Sequence, residues 1–230
     1  MRLYCGRFFS LFMALFQFIN AATTEKSVVT YSDSAILHVT RWDVSGREAE
    51  HVLPAMMEGA TAVGATLADL DQLTVVHGPG SFTGLRVAVT VANMLWATYP
   101  HIALCPVTAG VLLAVADHFS APRYVFATYA SDVFLFDGDG VHKGRVSGPA
   151  FTPEMGDAGQ LVSTIAAHEK VRPVALEEAL ARHDVLMQLH EYVTPASGQL
   201  LPFYAKDANI TTPKHHAPDL QHGQDPLPSV

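Results

Sequence analysis

The pattern of hydrophobic and polar residues predicts a chain that alternates between short strands and helices. Short β-branched or aromatic runs bounded by turn residues predict strands, and apolar positions repeating every three or four residues predict helices. In the first half, strands are predicted at 14–20, 28–31, 35–41, 73–76 and 102–107, and helices at 48–63, 83–98 and 108–119. Ser45 and Glu48 have the spacing of a capping box for the first helix. Three successive strands, then strands alternating with helices, predict an α/β domain with a mixed sheet.

The second half is richer in strands. Strands are predicted at 124–129, 133–137, 141–146 and 171–176, and helices at 154–168 and 177–191. The change of pattern places a lobe boundary near residue 120. The predicted organisation is an extension at 1–12, a larger lobe at 13–120, a smaller lobe at 121–206, and a disordered tail at 207–230 that is rich in proline, histidine and polar residues. The sequence shows no internal repeat.

A glycine-rich turn between the strand at 73–76 and the helix at 83–98 is the most distinctive segment. Three glycines and a proline in seven residues indicate positive φ angles or a close backbone approach, and such turns often bind phosphate at a helix start. The turn fails the P-loop pattern because Leu85 follows Gly84, and the dinucleotide pattern because Thr83 replaces the third glycine. It also fails the nucleophile-elbow pattern around Ser81. These failures favour a structural turn.

The helix at 83–98 is apolar around most of its circumference. Its polar residues form one narrow stripe, and its small residues Gly84, Ala88 and Ala92 recur at every fourth position. Such a helix must be covered on more than one side. The sequence allows two kinds of neighbour for this helix, because the small residues can face either the chain's own sheet or a partner protein.

The turn and the first helical residues form a nine-residue motif that resembles the hallmark of the TsaB (YeaZ) family. The motif consists of Gly78, Pro79, Gly80, Ser81, Phe82, Thr83, Gly84, Leu85 and Arg86. The resemblance implies a two-lobed actin-like ATPase (ribonuclease H-like) fold. It also implies a non-catalytic subunit that acts in the synthesis of threonylcarbamoyladenosine on tRNA and binds no cofactor or metal of its own.

Partners are likewise implied by the resemblance. They are a TsaD-like catalytic transferase subunit and a TsaE-like ATPase subunit, with tRNA contacted only through the complex and a homodimer as a further option. In the family, the two helices at 48–63 and 83–98 contact the matching pair of the catalytic subunit. The expected contact residues are Leu53, Met56, Met57, Gly84, Ala88 and Ala92.

Several positions depart from the family pattern. Asn20-Ala21 stands where the family has an Asp-Thr pair at the first hairpin, and Glu48 replaces a histidine six residues before Pro54. Ala127-Thr128-Tyr129 replaces Asp-Ala-Arg, and Lys206 replaces the arginine of the closing Pro-x-Tyr-x-Arg motif. The family's catalytic paralogue holds metal with two histidines on one helix, and no His-x-x-x-His occurs in this sequence. The alternative function is a nucleotide-dependent kinase or hydrolase of the same fold, or a peptidase.

The amino-acid composition limits the classes of partner and the cellular compartment that suit this chain. The 230 residues are 49% hydrophobic and 16% charged, which is typical of a globular protein. A net charge of −8 without a basic run argues against high-affinity nucleic-acid binding by this chain alone. Two distant cysteines, Cys5 and Cys105, predict neither a disulfide framework nor a zinc site. These features favour the cytoplasm and no membrane association.

The amino terminus has two interpretations. Residues 1–21 have a basic start, an apolar middle and a small residue at a cleavage position, as in a signal peptide. Alternatively, 14–20 is a buried first strand, Met13 is the natural start and residues 1–12 are an extension. Among the twelve histidines, the cluster in the tail (215, 216 and 222) is expected to be incidental, and His77 has no companion at catalytic spacing.

Overall fold

The computed structural model describes residues 13–24, 26–43, 47–127, 132–161 and 170–205. The predicted extension at 1–12 and the predicted tail from 207 lie outside these residues, as does Lys206. Among the described residues, no helix has both the length and the hydropathy needed to cross a bilayer.

The first five strands form one mixed sheet. They are β1 (Leu15–Asn20), β2 (Lys26–Ser32), β3 (Ile36–Trp42), β4 (Gln72–Gly78) and β5 (Ala103–Thr108). The strand order is β3-β2-β1-β4-β5. The hairpin-connected strands β1, β2 and β3 pair antiparallel, whereas β1–β4 and β4–β5 are parallel. The mixed sheet predicted from the sequence is therefore present, because helical crossovers join β3 to β4 and β4 to β5.

Both faces of this sheet are covered, and all residues of β1 are therefore buried. Phe16 and Phe18 contribute to one hydrophobic cluster, and Leu15 and Ile19 to a second cluster on the opposite face. The second cluster lies under α1 (Glu48–Ala62) and α2 (Phe82–Thr98). The first includes α3 (Ala109–Ala116) and extends into the second half of the chain.

The second sheet has the same topology as the first. Its strands are β6 (Arg123–Ala127), β7 (Asp132–Asp137), β8 (His142–Ser147), β9 (Ala158–Gln160) and β10 (Arg172–Pro173). The order β8-β7-β6-β9-β10 repeats that of the first sheet, with β6, β7 and β8 antiparallel and β6, β9 and β10 parallel. The chain thus contains a structural repeat that the sequence did not reveal. The lobe boundary near residue 120 stays a prediction.

Three local predictions are wrong. The helix predicted from residue 154 is replaced by a short 3-10 turn, Pro153–Met155, and by β9, and residues 162–169 lie outside the described part. The helix predicted at 177–191 is two helices, α4 (Leu176–Leu180) and α5 (His183–Tyr192). For the predicted capping box, Ser45 lies outside the described residues, the N-cap of α1 is Arg47 without a side-chain cap, and the Glu48 side chain is buried 3.8 Å from the Lys26 ammonium. Tertiary contacts outweigh the local signals at these three places.

The buried face of α2 gives a stability test. Ala92 is fully buried in the cluster under α1 and α2, whereas Thr90 on the same helix is exposed. Ala92→Glu should lower the free energy of unfolding by about 3 kcal/mol or more, because it places an unpaired charge in the core. Thr90→Glu should change it by about 0.5 kcal/mol or less. Urea unfolding followed by circular dichroism measures both, and equal midpoints for the two variants would contradict this packing.

Candidate functional site

The glycine-rich turn leads directly from the end of β4 into α2. Ser81 is the N-cap of α2, and its Oγ accepts a hydrogen bond from the Gly84 backbone N–H at 3.3 Å. The Ser81 backbone N–H donates to the Ala22 carbonyl oxygen at 2.7 Å. These donors, which could have met a phosphate, are therefore bonded to the protein itself. The structure agrees with the interpretation of a structural turn.

Two of the three glycines in this turn, Gly80 and Gly84, allow the start of α2 to approach the β1–β2 hairpin. A Cβ at Gly84 would overlap the Ala21 carbonyl oxygen, and a Cβ at Gly80 would lie 2.5 Å from the Ala22 carbonyl oxygen. Gly78, at the end of β4, has a φ of 138°, which side chains of L-residues rarely allow. Glycine at these positions is thus required by contacts inside the chain.

Polar groups of the hairpin that faces the turn bond to one another and to the second sheet. Asn20 is fully buried, and its Nδ2 donates to Thr23 Oγ1 at 2.6 Å. Its Oδ1 accepts from the backbone N–H groups of Ala22 and Thr23, both at 3.3 Å. Thr24 Oγ1 accepts from Gln160 Nε2 of the second sheet at 2.9 Å. The Asn20 amide, which stands where the resemblance implies an aspartate, therefore closes the hairpin turn.

A carboxyl-terminal strap, defined here as residues 196–205, covers one side of α2. It begins where the Ala196 N–H donates to the Leu104 carbonyl at 2.8 Å. Asn93 of α2 then exchanges two hydrogen bonds with the Leu200 backbone, at 2.9 and 3.0 Å. The Phe203 N–H donates to the His77 carbonyl at 2.7 Å. The strap runs antiparallel to α2, so residues distant in sequence complete the site.

Arg86 and two aromatic rings form a compact cluster at the far end of the strap. The Phe82 and Tyr204 rings stack with centroids 4.3 Å apart. The Arg86 guanidinium carbon lies 4.1 Å from the Phe82 ring centroid, and Arg86 Nε donates to Tyr204 Oη at 3.1 Å. Phe82 and Arg86 belong to the glycine-rich motif and Tyr204 is the tyrosine of the closing Pro-x-Tyr-x-Arg-like segment, so the fold brings two distant motifs together.

His77 lies beside the strap and has the environment of a structural histidine. Its Nδ1 is 3.3 Å from the Leu201 carbonyl oxygen, and its ring centroid is 6.1 Å from that of Phe203. Burial lowers the pKa of His77 below its usual value, although the hydrogen bond to Leu201 opposes this effect. Within the described residues, no group of three or more histidine, cysteine, aspartate or glutamate side chains is arranged to hold a metal ion.

The structure divides the six predicted contact residues into two groups. Gly84, Ala88, Ala92 and Met56 are buried within the chain's own core, so their predicted place on a partner surface is corrected. The small residues face inward because α2 packs closely on β4 and the hairpin. The other two predicted residues, Leu53 and Met57 of α1, are half-buried and exposed respectively.

The outer surface of α1 and α2 carries exposed apolar side chains. Met57 of α1 is 53% exposed and Met94 of α2 is 46% exposed. Val87 and Val91 of α2 are half-buried at the edge of the same surface. Thr83, Arg86 and Thr90 of the predicted polar stripe are exposed, whereas Asn93 is half-buried and bonded to the strap. Sequence reasoning missed Met94 because it assigned the partner contact to the small residues.

The buried ion pair between Lys26 and Glu48 was also missed. Both side chains are 1% exposed, and the pair joins β2 to the first turn of α1. Glu48 stands where the resemblance to the TsaB (YeaZ) family implies a histidine, and only the fold reveals its partner. Of the replaced Asp-Ala-Arg, Ala127 ends β6 and is buried, and the next two positions lie outside the described residues.

Comparisons with known proteins find a family and a curated protein whose names both refer to the threonylcarbamoyl modification of tRNA. The family described as "TsaD: tRNA N6-adenosine threonylcarbamoyltransferase" matches residues 43–128. A curated Escherichia coli K12 protein, "tRNA threonylcarbamoyladenosine biosynthesis protein TsaB", is 32% identical over 78 residues. That match covers 34% of this chain and about a third (33%) of the E. coli protein.

Two solved structures from Pseudomonas aeruginosa are also similar. One is described as an uncharacterized protein with similarity to peptidase YEAZ (TM-score 0.59) and the other as YeaZ (TM-score 0.57). Each is 17% identical to this chain, and each alignment covers 84% of this chain and 100% of the other. With the two mixed sheets of equal topology, they confirm the predicted actin-like ATPase fold.

The contact between the turn and the hairpin can be tested at Gly84. Gly84→Ala should lower the free energy of unfolding by about 1–3 kcal/mol, because the added methyl group would overlap the Ala21 carbonyl. Gly144→Ala is the matched control, since nothing lies within 4 Å of a Cβ at that position. Thermal and urea unfolding would measure the two changes. A Gly84→Ala variant as stable as the control would show that the approach is looser than described.

Proposed function

The matches support the assignment of the chain to the TsaB (YeaZ) family, and on this basis we propose that it is a non-catalytic subunit in the synthesis of threonylcarbamoyladenosine on tRNA. In this role it binds and activates a TsaD-like catalytic transferase subunit. A TsaE-like ATPase joins the complex, and tRNA is contacted through the complex. The cytoplasm is the proposed compartment.

The exposed apolar surface of α1 and α2 is the structural observation that supports the binding role. Met57 and Met94 project from adjacent helices that pack side by side on the first sheet. Methionine is enriched at protein–protein interfaces, and its unbranched side chain adapts to a partner surface. We place the contact with the catalytic subunit here, with Leu53 and Met57 retained from the sequence prediction and Met94 added.

A subunit role fits the chain better than a transferase role, although the matching family profile bears the transferase name. The catalytic paralogue holds metal through a histidine pair on one helix, and this sequence contains no His-x-x-x-His. The profile match covers residues 43–128, which include α1, the glycine-rich turn and α2. We attribute the match to elements that the two families share.

The nucleotide-dependent enzyme is the competing function, and the hairpin and the turn argue against it. The Asn20 amide is bonded within its own hairpin, and the Ser81 N–H is bonded to Ala22. An amide is also a weaker ligand for magnesium than a carboxylate, because it carries no charge. We expect the chain alone neither to bind ATP with micromolar affinity nor to hydrolyse it. Calorimetry with ATP and magnesium, together with a phosphate-release assay, measures both, and micromolar binding with steady turnover would favour the enzyme.

The interface can be tested by substitutions at its exposed methionines. Met94→Asp should weaken binding to the catalytic subunit of the same organism by at least about tenfold, because a charge would enter an apolar contact. Met57→Asp should act in the same direction. Isothermal titration calorimetry with the purified subunit gives the affinities, and circular dichroism verifies that the variants are folded.

The matched control is Val141→Asp. Val141 is 52% exposed, close to the exposure of Met57, but it lies beside β8 of the second sheet. This variant should bind the catalytic subunit normally. If both methionine variants bind as tightly as the unaltered chain, the α1–α2 surface is not the interface. If the unaltered chain does not bind the subunit at all, the proposed function itself is wrong.

A further inference from the structure

The described part of the chain contains one cation without an acidic partner, and that cation is Arg86. Every other lysine and arginine in the described residues lies within 3.9 Å of a carboxylate oxygen. These paired residues are Lys26, Arg41, Arg47, Arg123, Lys143, Arg145, Lys170, Arg172 and Arg182. In a chain with a net charge of −8, an unpaired arginine is unexpected, because carboxylates outnumber cations.

The surroundings of Arg86 fix its position while leaving its terminal nitrogens available. The Phe82 ring supports the guanidinium group at 4.1 Å, and Tyr204 accepts the hydrogen bond from Nε. Among the described residues, none accepts a hydrogen bond from Nη1 or Nη2 of Arg86 within the ordinary geometric limits. These two nitrogens form the fork that binds carboxylates in bidentate fashion. The same chain shows that geometry at Arg172, whose Nη1 and Nη2 donate to the two oxygens of Asp117 at 2.6 and 2.7 Å.

We propose that Arg86 is a specificity-determining anchor that binds the carboxylate of an aspartate or glutamate side chain on the catalytic partner. This inference rests on the proposed function, because Arg86 is exposed on the helix that also carries Met94. Arg86 is the only charged residue in Phe82–Thr98, so it would be a single charge at the edge of an apolar contact. Aromatic support preorganises the guanidinium and reduces the entropy lost when the partner binds.

A protein carboxylate fits this site better than an RNA phosphate. Sites that bind nucleic acid cluster several lysines and arginines, whereas Arg86 is alone and the chain is acidic overall. The exposed neighbours Thr83 and Thr90 on α2 carry no charge. One bidentate pair within an apolar surface gives orientation and partner discrimination without requiring a basic patch.

The test measures binding of the full chain to the purified catalytic subunit at low and high salt. Arg86→Gln should weaken binding by at least about tenfold and reduce its salt dependence, because the charged pair is lost. Arg86→Lys should lose most of the same affinity, since an ammonium group lacks the planar fork. Arg123→Gln is the matched control and should bind normally, because Arg123 is exposed, already paired with Asp157 and located on the second sheet. Unfolding curves check that each variant is folded, and Arg86→Lys decides the outcome if Arg86→Gln is unstable.

The outcomes separate this inference from the proposed function. If the unaltered chain binds the catalytic subunit and both Arg86 variants bind equally well, only the anchor role is overturned. If the Arg86 variants form a normal complex that binds tRNA more weakly, the ligand is a phosphate and the carboxylate assignment is wrong. If the unaltered chain does not bind the subunit, the proposed function and this inference are overturned together.

Discussion

The close approach of α2 to the β1–β2 hairpin is the constraint on which the rest of the structure depends. The carbonyl oxygens of Ala21 and Ala22 occupy the space that side chains at residues 84 and 80 would need. This contact sets the direction in which α2 leaves β4, and so determines which side of the helix faces the sheet. The strap can then bond to Asn93 and His77, and Tyr204 reaches the stacked position against Phe82. A glycine motif thus positions a surface that lies several residues away from it.

The contact between the glycine-rich turn and the β1–β2 hairpin also determines which polar groups could bind a phosphate. A strand, a glycine-rich turn and a helix start are the elements from which phosphate sites are commonly built. Here Ser81 N–H, Ser81 Oγ and the Asn20 amide all bond to neighbouring backbone or side-chain groups. Thr24 also bonds across to Gln160 of the second sheet. Because these polar groups bond to one another and to the second sheet, they stabilise the packing of α2 against the hairpin.

Much of the first sheet could be predicted from sequence because its elements have strong local signals. The extent of α2 follows closely from its hydrophobic pattern, and the burial of β1 agrees with one of the two interpretations of the amino terminus. The region of β9 could not be predicted in this way, because a proline followed by an acidic residue is a typical helix start. In the structure Ala158 and Gly159 pair with Tyr124 and Val125 of β6, and a Cβ at Gly159 would meet the Val125 carbonyl. Pairing with a distant strand thus outweighed the local preference.

The orientation of α2 was the part of the candidate site that sequence reasoning could not decide. Its inner side carries small residues and its outer side carries valine and methionine, so both sides are compatible with a packed contact. Hydrophobicity alone cannot rank two such sides, whereas the position of a backbone neighbour can. Once the Ala21 carbonyl is placed against Gly84, the small residues must face inward and Met94 must face outward. The exposed apolar surface is therefore a geometric consequence of the glycine contact, and Arg86 is the only charge on the helix that bears it.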